Sequence, residues 1–295
     1  MHMNDMNLGL VWTGALCLVL GLSGCTNETD TGLSAPGGTP VRVLAEIAPV
    51  TKSGTTRAVS TDNDFDRGTF LTGDNIKVTR TNAGASTVSQ ESNYRYDASS
   101  WVVVGNLPVT LEPAATYTAK FPADYDGIKQ YQNTDGYYLA SNLLETEPVS
   151  SSDGTLNFTN TNGKPFKHVN SKITLEFTVN RTTTTIANDA VALEAAGLRT
   201  NVSTTQSITL FRPYPSDASR KYEWCGIVRS INASTSLAVS LTCDGVTYKV
   251  TLTDCPLKAG YHYKYKLTLH NDLLIPESCT IGKWTDEIMS GGNLA

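Results

Sequence analysis

Apolar and polar residues alternate in short runs along most of the chain, and turn-forming residues separate these runs at spacings of roughly 8 to 12 residues. Such regular short strands are typical of β-sandwiches. The clearest strand signals cover residues 74–80, 93–97, 100–111, 116–122, 172–179, 207–211 and 223–231. The pattern therefore predicts an all-β protein.

One pair of runs predicts a β-hairpin in detail. Leu237–Cys243 and Val246–Leu252 both alternate, and Asp244-Gly245 between them suits the positive φ angles of a type I′ turn. A two-residue turn sets Leu237 opposite Leu252 and places the apolar side chains of both strands on one face. We therefore expect Cys243 to point inward.

Two further segments complete the secondary-structure prediction. Residues 260–270 alternate in the same way, with tyrosines and leucines on one face and His262, His270, lysines and a threonine on the other. Asn188–Leu198 is rich in Ala, Leu and Glu and is interpreted as a short helix. The strand pattern breaks near Lys164–Lys167, where we place a domain boundary.

The N-terminal residues have the pattern of a bacterial export signal. Leu8–Leu22 is apolar but too short to span a bilayer comfortably, as expected of a signal peptide. The following Leu-Ser-Gly-Cys resembles a lipobox, in which cleavage occurs before a diacylated cysteine. Residues 1–24 are therefore predicted to be a signal peptide, and Cys25 is predicted to carry the lipid that anchors the protein to the outer membrane.

Residues 25–64 are predicted to form a tether that contains one apolar strand. Thr26–Pro40 is polar and rich in Gly and Pro, as flexible linkers are. Val41–Val50 is an apolar strand signal, and Thr51–Asp64 is a second polar linker. The remaining chain is longer than most single domains, which predicts two sandwiches, over residues 65–165 and 166–295.

Composition narrows the function classes. The formal net charge is −5 and only 17% of residues are charged, whereas a nucleic-acid partner requires a concentrated basic face. Four cysteines fall in the last third of the chain, and an exported protein can oxidise them. Sequence leaves open whether they form disulfides or stay buried thiols, and which would pair: Cys225, Cys243, Cys255 and Cys279.

No motif in the sequence indicates catalysis, and we predict neither an enzyme nor a cofactor. There is no GxSxG motif, and His168, His262 and His270 are interpreted as structural or solvated. Asp62–Gly68 imitates a calcium loop but has Arg67 at the sixth position, where such loops need glycine. We therefore predict no metal site. Four tyrosines in a Gly/Asn/Asp-rich stretch are a weaker sign of glycan stacking: Tyr125, Tyr131, Tyr137 and Tyr138.

Five stretches of the chain carry a further pattern: FDRGTFLTGDNIKV from Phe65, YRYDASSWVV from Tyr94, ATYTAKFPADYD from Ala115, FKHVNSKITLEF from Phe166, and Lys258–Glu287. The most specific is the last, in which a Gly-x-x-Tyr strand is followed by a closing Trp-Thr-Asp. Together they resemble the fimbrillin-like lipoproteins of Bacteroidales, the subunits of type V pili. The resemblance implies two sandwiches of transthyretin-like topology.

The resemblance also implies how such a chain is processed and assembled. Family members are lipoproteins that an arginine-specific protease cuts, which releases an N-terminal strand and opens a groove for a strand of the next subunit. In this chain the corresponding site is predicted at Arg57-Ala58, between small polar residues. Arg42 and Arg67 are alternatives, but a cut at Arg42 would spare the strand, and one at Arg67 would remove part of a family-like stretch.

The resemblance predicts other pilus subunits as partners, while two questions stay open. Shaft subunits donate a C-terminal strand, whereas the residues after Trp284 contain few large apolar side chains. The donor is then the CTIGKW stretch or absent, and a subunit that only accepts a strand would occupy a pilus tip. The alternative function is a surface lipoprotein that binds a glycan or a host protein and never polymerises.

Overall fold

The computed structural model describes residues 38–48, 65, 67–105, 107–181 and 185–284, and these are almost entirely β-structure. No helix among them is both long and apolar enough to cross a membrane. The strands of the first half are β1 (Arg42–Ala45), β2 (Asn75–Thr81), β3 (Gln90–Tyr96), β4 (Trp101–Val103), β5 (Thr116–Phe121), β6 (Leu144–Glu145), β7 (Thr155–Phe158) and β8 (Lys167–His168).

The second half is built in the same way. Its strands are β9 (Ser171–Val179), β10 (Val191–Ala196), β11 (Thr205–Thr209), β12 (Glu223–Val228), β13 (Leu237–Cys243), β14 (Val246–Leu252), β15 (Tyr261–His270) and β16 (Leu273–Lys283). One short helix, α1 (Asp135–Ala140), lies between β5 and β6.

The first sandwich is formed by a six-stranded sheet and a two-stranded sheet. The large sheet has the order β4-β3-β2-β5-β6-β8, and the small one is the parallel pair β1-β7. Side chains from both sheets share one core, which includes Ile76, Val78 and Tyr117 from the large sheet and Leu156 and Phe158 from β7. Val41 and Val43 pack in the same core, so the first sandwich also depends on β1 and the residue before it, which precede its other strands in sequence.

The second sandwich consists of two four-stranded sheets, with the orders β11-β10-β13-β14 and β12-β9-β15-β16. Its pairs are antiparallel except β9-β15, which is parallel. Fully buried Trp224 packs edge-on against Phe177 and donates from Nε1 to Asn188 O at 2.9 Å. Each described strand of this sandwich lies between residues 171 and 283, and Ile128 from the segment before α1 also packs in its core.

The predicted hairpin is confirmed. Leu237 pairs with Leu252 and Cys243 with Val246, and Asp244 and Gly245 have φ angles of 52° and 78°. Cys243 is buried, as its place in the alternation requires. The alternating strand after Gly260 is confirmed as β15.

The helix predicted over Asn188–Leu198 is wrong. Residues 191–196 form β10, between β11 and β13, and alternate side chains enter the core: Val191, Leu193 and Ala195. The sequence VALEAA satisfies the period of a strand as well as the propensity of a helix, and pairing on both sides decides the outcome. The helix occurs instead at α1, where Thr134 Oγ1 accepts a hydrogen bond from Tyr137 N at 3.3 Å.

A buried glutamine joins the segment before α1 to the second sandwich. Gln132 has no exposed surface, and its side chain donates to Ile227 O and accepts from Ile227 N, both at 2.8 Å. Its backbone N–H also donates to Thr209 O at 2.9 Å. The change from the first set of sheets to the second falls between His168 and Ser171, while the domain limits at residues 165 and 166 stay a prediction.

Candidate functional site

The segment 38–48, which includes β1, is built into the core of the first sandwich. Val41, Val43 and Ile47 are 6%, 4% and 4% exposed, and all three pack in the same cluster as Phe158 and Phe166. Arg42 alternates with them and points to solvent. Sequence alone predicted a strand over Val41–Val50, and the described part of that segment forms β1 and a parallel bridge from Ile47 to Phe166.

One edge of β1 is paired along its whole length. Arg42 to Ala45 run parallel to Thr155 to Phe158 of β7. Backbone hydrogen bonds continue the pairing at both ends, from Arg42 N to Gly154 O at 2.8 Å and from Ala48 N to Phe166 O at 2.9 Å. β1 is therefore a complete ladder partner for β7, and among the described strands it is the only one β7 has.

The opposite edge of β1 is paired only at its start. Val41 N donates to Val109 O at 2.9 Å, and Leu111 N donates to Thr39 O at 2.7 Å. Val43 and Ala45 face the same edge further along, where no described residue forms a backbone hydrogen bond with them. This edge opens instead on cavities of about 340 and 400 Å³ that both touch Tyr96.

Glu46 fixes the end of β1 to the loop after β7. Its carboxylate accepts hydrogen bonds from the backbone N and from Nδ2 of Asn160, both at 2.8 Å. Asn160 Nδ2 also donates to Ile47 O at 3.2 Å. These contacts are exposed, so they add register more than stability.

The short segment Val109–Leu111 that holds the start of β1 is itself held by side chains of the large sheet. Arg80 donates to Thr110 O at 2.9 Å and to its Oγ1 at 2.7 Å. Gln90 Oε1 accepts from Thr110 N at 2.9 Å, and Tyr94 OH accepts from Val109 N at 3.1 Å. Burial raises the pKa of Tyr94 to about 12, against the hydrogen bond from Val109, so its hydroxyl stays neutral.

The groove occupied by β1 thus has apolar walls, two unequal edges and an occupant from a sequence-distant segment. The profile of the fimbrillin-like family matches residues 51–284 of the chain. The chain belongs to the fimbrillin-like family. The match begins after β1, so the groove lies in the family domain and its occupant precedes the matched region. A fimbrial subunit of the cell surface is the function class that follows.

The similarity to several solved structures covers nearly the whole length of those proteins. Candidate cell adhesion proteins from Bacteroides ovatus and Bacteroides uniformis are 17% and 15% identical to this fimbrillin-like chain, with TM-scores of 0.55 and 0.54. Each comparison covers 84% of this chain and 98% of the other. A third, from Parabacteroides distasonis, has 9% identity, a TM-score of 0.50 and coverages of 86% and 99%. At these identities they show the fold alone. No curated protein matches the chain.

Of the predicted processing residues, the structure describes only the alternatives to the favoured cut site. Cys25, Arg57 and Ala58 lie outside the described residues. Arg42 lies within the paired part of β1. Arg67 forms an ion pair with Asp74 at 3.3 Å, and its guanidinium lies 5.3 Å from the centre of the Phe121 ring.

The four cysteines in the last third of this fimbrillin-like chain are all buried, and no disulfide joins any of them in the structure. Disulfide formation in the exported protein stays a prediction. Desolvation by burial raises the pKa of Cys279 to about 11 and also raises that of Cys255, so both remain thiols at neutral pH. Cys225 lies 3.4 Å from Thr174 Oγ1, and Cys243 ends β13.

Of the histidines and tyrosines singled out in the sequence, Tyr138 and His262 line one cavity of about 140 Å³, and the others are not among its lining residues. His168 stacks on Trp284 with ring centres 4.0 Å apart, and His262 Nε2 lies 2.7 Å from Thr174 Oγ1. Tyr138 is fully buried, whereas Tyr131 and Tyr137 are 60% and 53% exposed. Among the described residues, no group of three or more His, Cys, Asp and Glu could hold a metal ion.

Proposed function

We propose that the chain is a structural and adhesive subunit of a type V pilus, exported as a lipoprotein and assembled by β-strand exchange after proteolysis. The observation that carries this proposal is the burial of a short, sequence-distant strand in a groove of the first sandwich. Its side chains at Val41, Val43 and Ile47 fill the core as a strand from another subunit would.

Loss of the strand would leave the groove unstable when empty. Each of these buried side chains contributes about 1.5–3 kcal/mol, and β7 would lose its only ladder partner among the described strands. An exposed apolar slot beside unpaired backbone groups favours addition of a new strand. The free energy lost when β1 leaves is then nearly balanced by the free energy gained when another strand binds. Exchange therefore needs a proteolytic cut but no external energy source.

The contacts of the other two arginines support Arg57 as the cut site. A protease needs an extended segment that fits into its active site. Arg42 is hydrogen-bonded within β1, and Arg67 is held by Asp74 and Phe121. Arg57 lies in the polar linker between β1 and Phe65, so a cut before Ala58 would free the whole strand.

Acylated Cys25 accounts for the first location of the protein in this scheme. Each buried methylene of a lipid chain contributes about 0.8 kcal/mol, so two or more chains hold a precursor on the outer membrane. The cut after Arg57 separates this anchor from the sandwiches. The released subunit is then retained only by its contacts with neighbouring subunits in the fimbrium.

The test uses the exported chain and an arginine-specific protease. Native Arg57 should give a ladder of oligomers on unboiled SDS gels, with Ala58 as the new N-terminus. Arg57→Lys keeps the charge but removes the arginine, and it should stay monomeric. Arg42→Lys and Arg67→Lys are the matched controls, and both should polymerise like the native chain.

Two results would contradict the proposal. A cut chain that stays monomeric at high concentration and also takes up no added peptide of residues 38–48 would exclude strand exchange and favour the surface lipoprotein that binds a glycan or host protein. Polymers that form from Arg57→Lys would place the cut elsewhere.

A further inference from the structure

The two walls of the groove differ in what would hold them once β1 has left. We call Val109–Leu111 the rail. Its backbone and the Thr110 side chain are hydrogen-bonded to four residues of the large sheet, none of which belongs to the segment 38–48: Arg80, Gln90, Tyr94 and Tyr117. Gln90 also donates to Pro108 O at 3.0 Å, just before the rail. The rail therefore keeps its shape whether or not a strand lies beside it.

The wall formed by β7 depends on its occupant. Its ladder is made with β1 alone among the described strands. The loop after it has hydrogen bonds of its own, such as Asn162 Nδ2 to Asn157 O at 2.7 Å, and is tied to the β1 segment by Glu46 through Asn160. Leu156 and Phe158 are fully buried, so they keep β7 near the core. They fix which face of β7 is buried. Its ladder hydrogen bonds, however, are made with β1 alone among the described strands.

We propose that an incoming strand docks first on the rail and only then forms its ladder with β7, so that exchange runs from the Thr39–Val41 end of the groove towards the Ile47 end. This order rests on the proposed strand exchange. A wall that is already shaped binds without an ordering cost, whereas β7 must be ordered as it pairs.

The docking order predicts different kinetic effects for two buried apolar side chains, Val41 and Ile47, which are 6% and 4% exposed. Contacts formed in the docking transition state change the association rate, and contacts formed later change the dissociation rate. The residue at position 41 binds next to the rail, and the residue at position 47 binds next to Phe166 at the other end. Truncation of the first should slow association, and truncation of the second should speed dissociation.

The experiment measures how a fluorescent peptide of residues 38–48 enters the full chain after the protease cut. Three peptides are compared by anisotropy over a range of concentrations: native, Val41→Ala and Ile47→Ala. Val41→Ala should associate about fivefold more slowly with a smaller change in dissociation, and Ile47→Ala should dissociate about tenfold faster with little change in association. Because the changes are in the peptide, the fold of the protein is the same in all three.

Two variants of the protein test the walls themselves. Arg80→Met removes both hydrogen bonds to Thr110 and should slow association of the native peptide. Asn160→Ala removes the contacts with Glu46 and should change dissociation only.

The outcomes separate the two proposals. Slower association with the Ile47→Ala peptide, or equal effects of both peptides on association, would overturn the docking order while leaving strand exchange intact. No entry of any peptide would overturn strand exchange, and the docking order with it.

Discussion

The two sandwiches of this fimbrillin-like chain obtain their cores in different ways. The second takes all of its described strands from residues 171–283, and its hairpins β13-β14 and β15-β16 pair neighbours in sequence. The first includes β1, which precedes the next strand by a long linker and pairs in parallel with β7. A cut in that linker would leave the second core whole and would make one strand of the first core replaceable.

Under the proposed strand exchange, this difference accounts for a sandwich that is stable before assembly and receptive afterwards. Backbone pairing of β1 is complete on the β7 side and partial on the other, so the strand is held firmly without becoming the centre of a large sheet. In the second sandwich β10 has neighbours on both sides, and its loss would destroy the fold. Strand exchange is therefore expected only in the first.

The largest effect is expected from a charge placed in each core. Val43→Asp should expel β1 and lower the stability of the first sandwich by about 3 kcal/mol or more, because an unpaired carboxylate cannot stay buried. Val239→Asp should lower the stability of the second sandwich for the same reason, since Val239 is fully buried. Hydrogen exchange resolved by peptide would show which sandwich loosens.

A rescue experiment separates these two variants further. Under the proposed strand exchange, added peptide of residues 38–48 should bind in the groove in trans and restore the protection of β7 in Val43→Asp. No peptide should rescue Val239→Asp, since β13 is not separable. Failure of rescue in Val43→Asp would mean that β1 is as integral to its sandwich as β13.

A second prediction concerns overpacking in the second sandwich. A Cβ at Gly226 would lie 2.3 Å from Leu210 Cδ2, so Gly226→Ala should destabilise this sandwich by about 1–3 kcal/mol. Gly136→Ala is the matched control, because nothing lies within 4 Å of its Cβ. Urea unfolding should show the difference, and peptide exchange into the first sandwich should be unchanged. A slower exchange in Gly226→Ala would show that the two sandwiches are coupled.

A smaller effect is expected at the exposed end of β1. Glu46→Ala removes the hydrogen bonds to Asn160 and should weaken retention of the cut strand by about 0.5–1 kcal/mol, seen as severalfold faster release. Glu91→Ala is the control, since it breaks an exposed ion pair with Lys77 at 3.2 Å on the large sheet. Equal release rates in the two variants would show that Glu46 does not anchor β1.

The two sandwiches also differ in how far their pairing could be predicted from the sequence. Local signals located the hairpin, because Asp244-Gly245 fixes its turn and register. The groove depends on a parallel pairing between segments more than one hundred residues apart. The four residues of β7 contain no sequence signal from which their pairing partner could be predicted. The error at Asn188–Leu198 has the same origin, because the neighbours of β10 decide its conformation.

The smallest effect is a difference in acid sensitivity between the two sandwiches. The backbone N–H of Thr155 and the hydroxyl of Ser151 donate to Asp153 at the start of β7 and hold the pKa of its carboxyl below the ordinary value of 3.8. In the second sandwich the Ser219 hydroxyl and backbone N–H do the same for Asp217. A lowered pKa stabilises the folded state above pH 3.8, and this contribution is lost as the pH falls through the folded pKa.

The contribution of each carboxylate to acid sensitivity can be tested by a separate substitution. The Asp153 carboxylate accepts a hydrogen bond from Thr155 N, and the neighbouring Gly154 O accepts one from Arg42 N of β1. Asp153→Asn should therefore reduce the pH dependence of β1 retention below pH 3.8 in the cut chain. Asp217→Asn should flatten only the acid unfolding of the second sandwich. Release of the cut strand, followed by anisotropy from pH 6 to pH 3, measures the first effect. If Asp217→Asn altered that release as much as Asp153→Asn, the groove would not be an independent unit of the molecule.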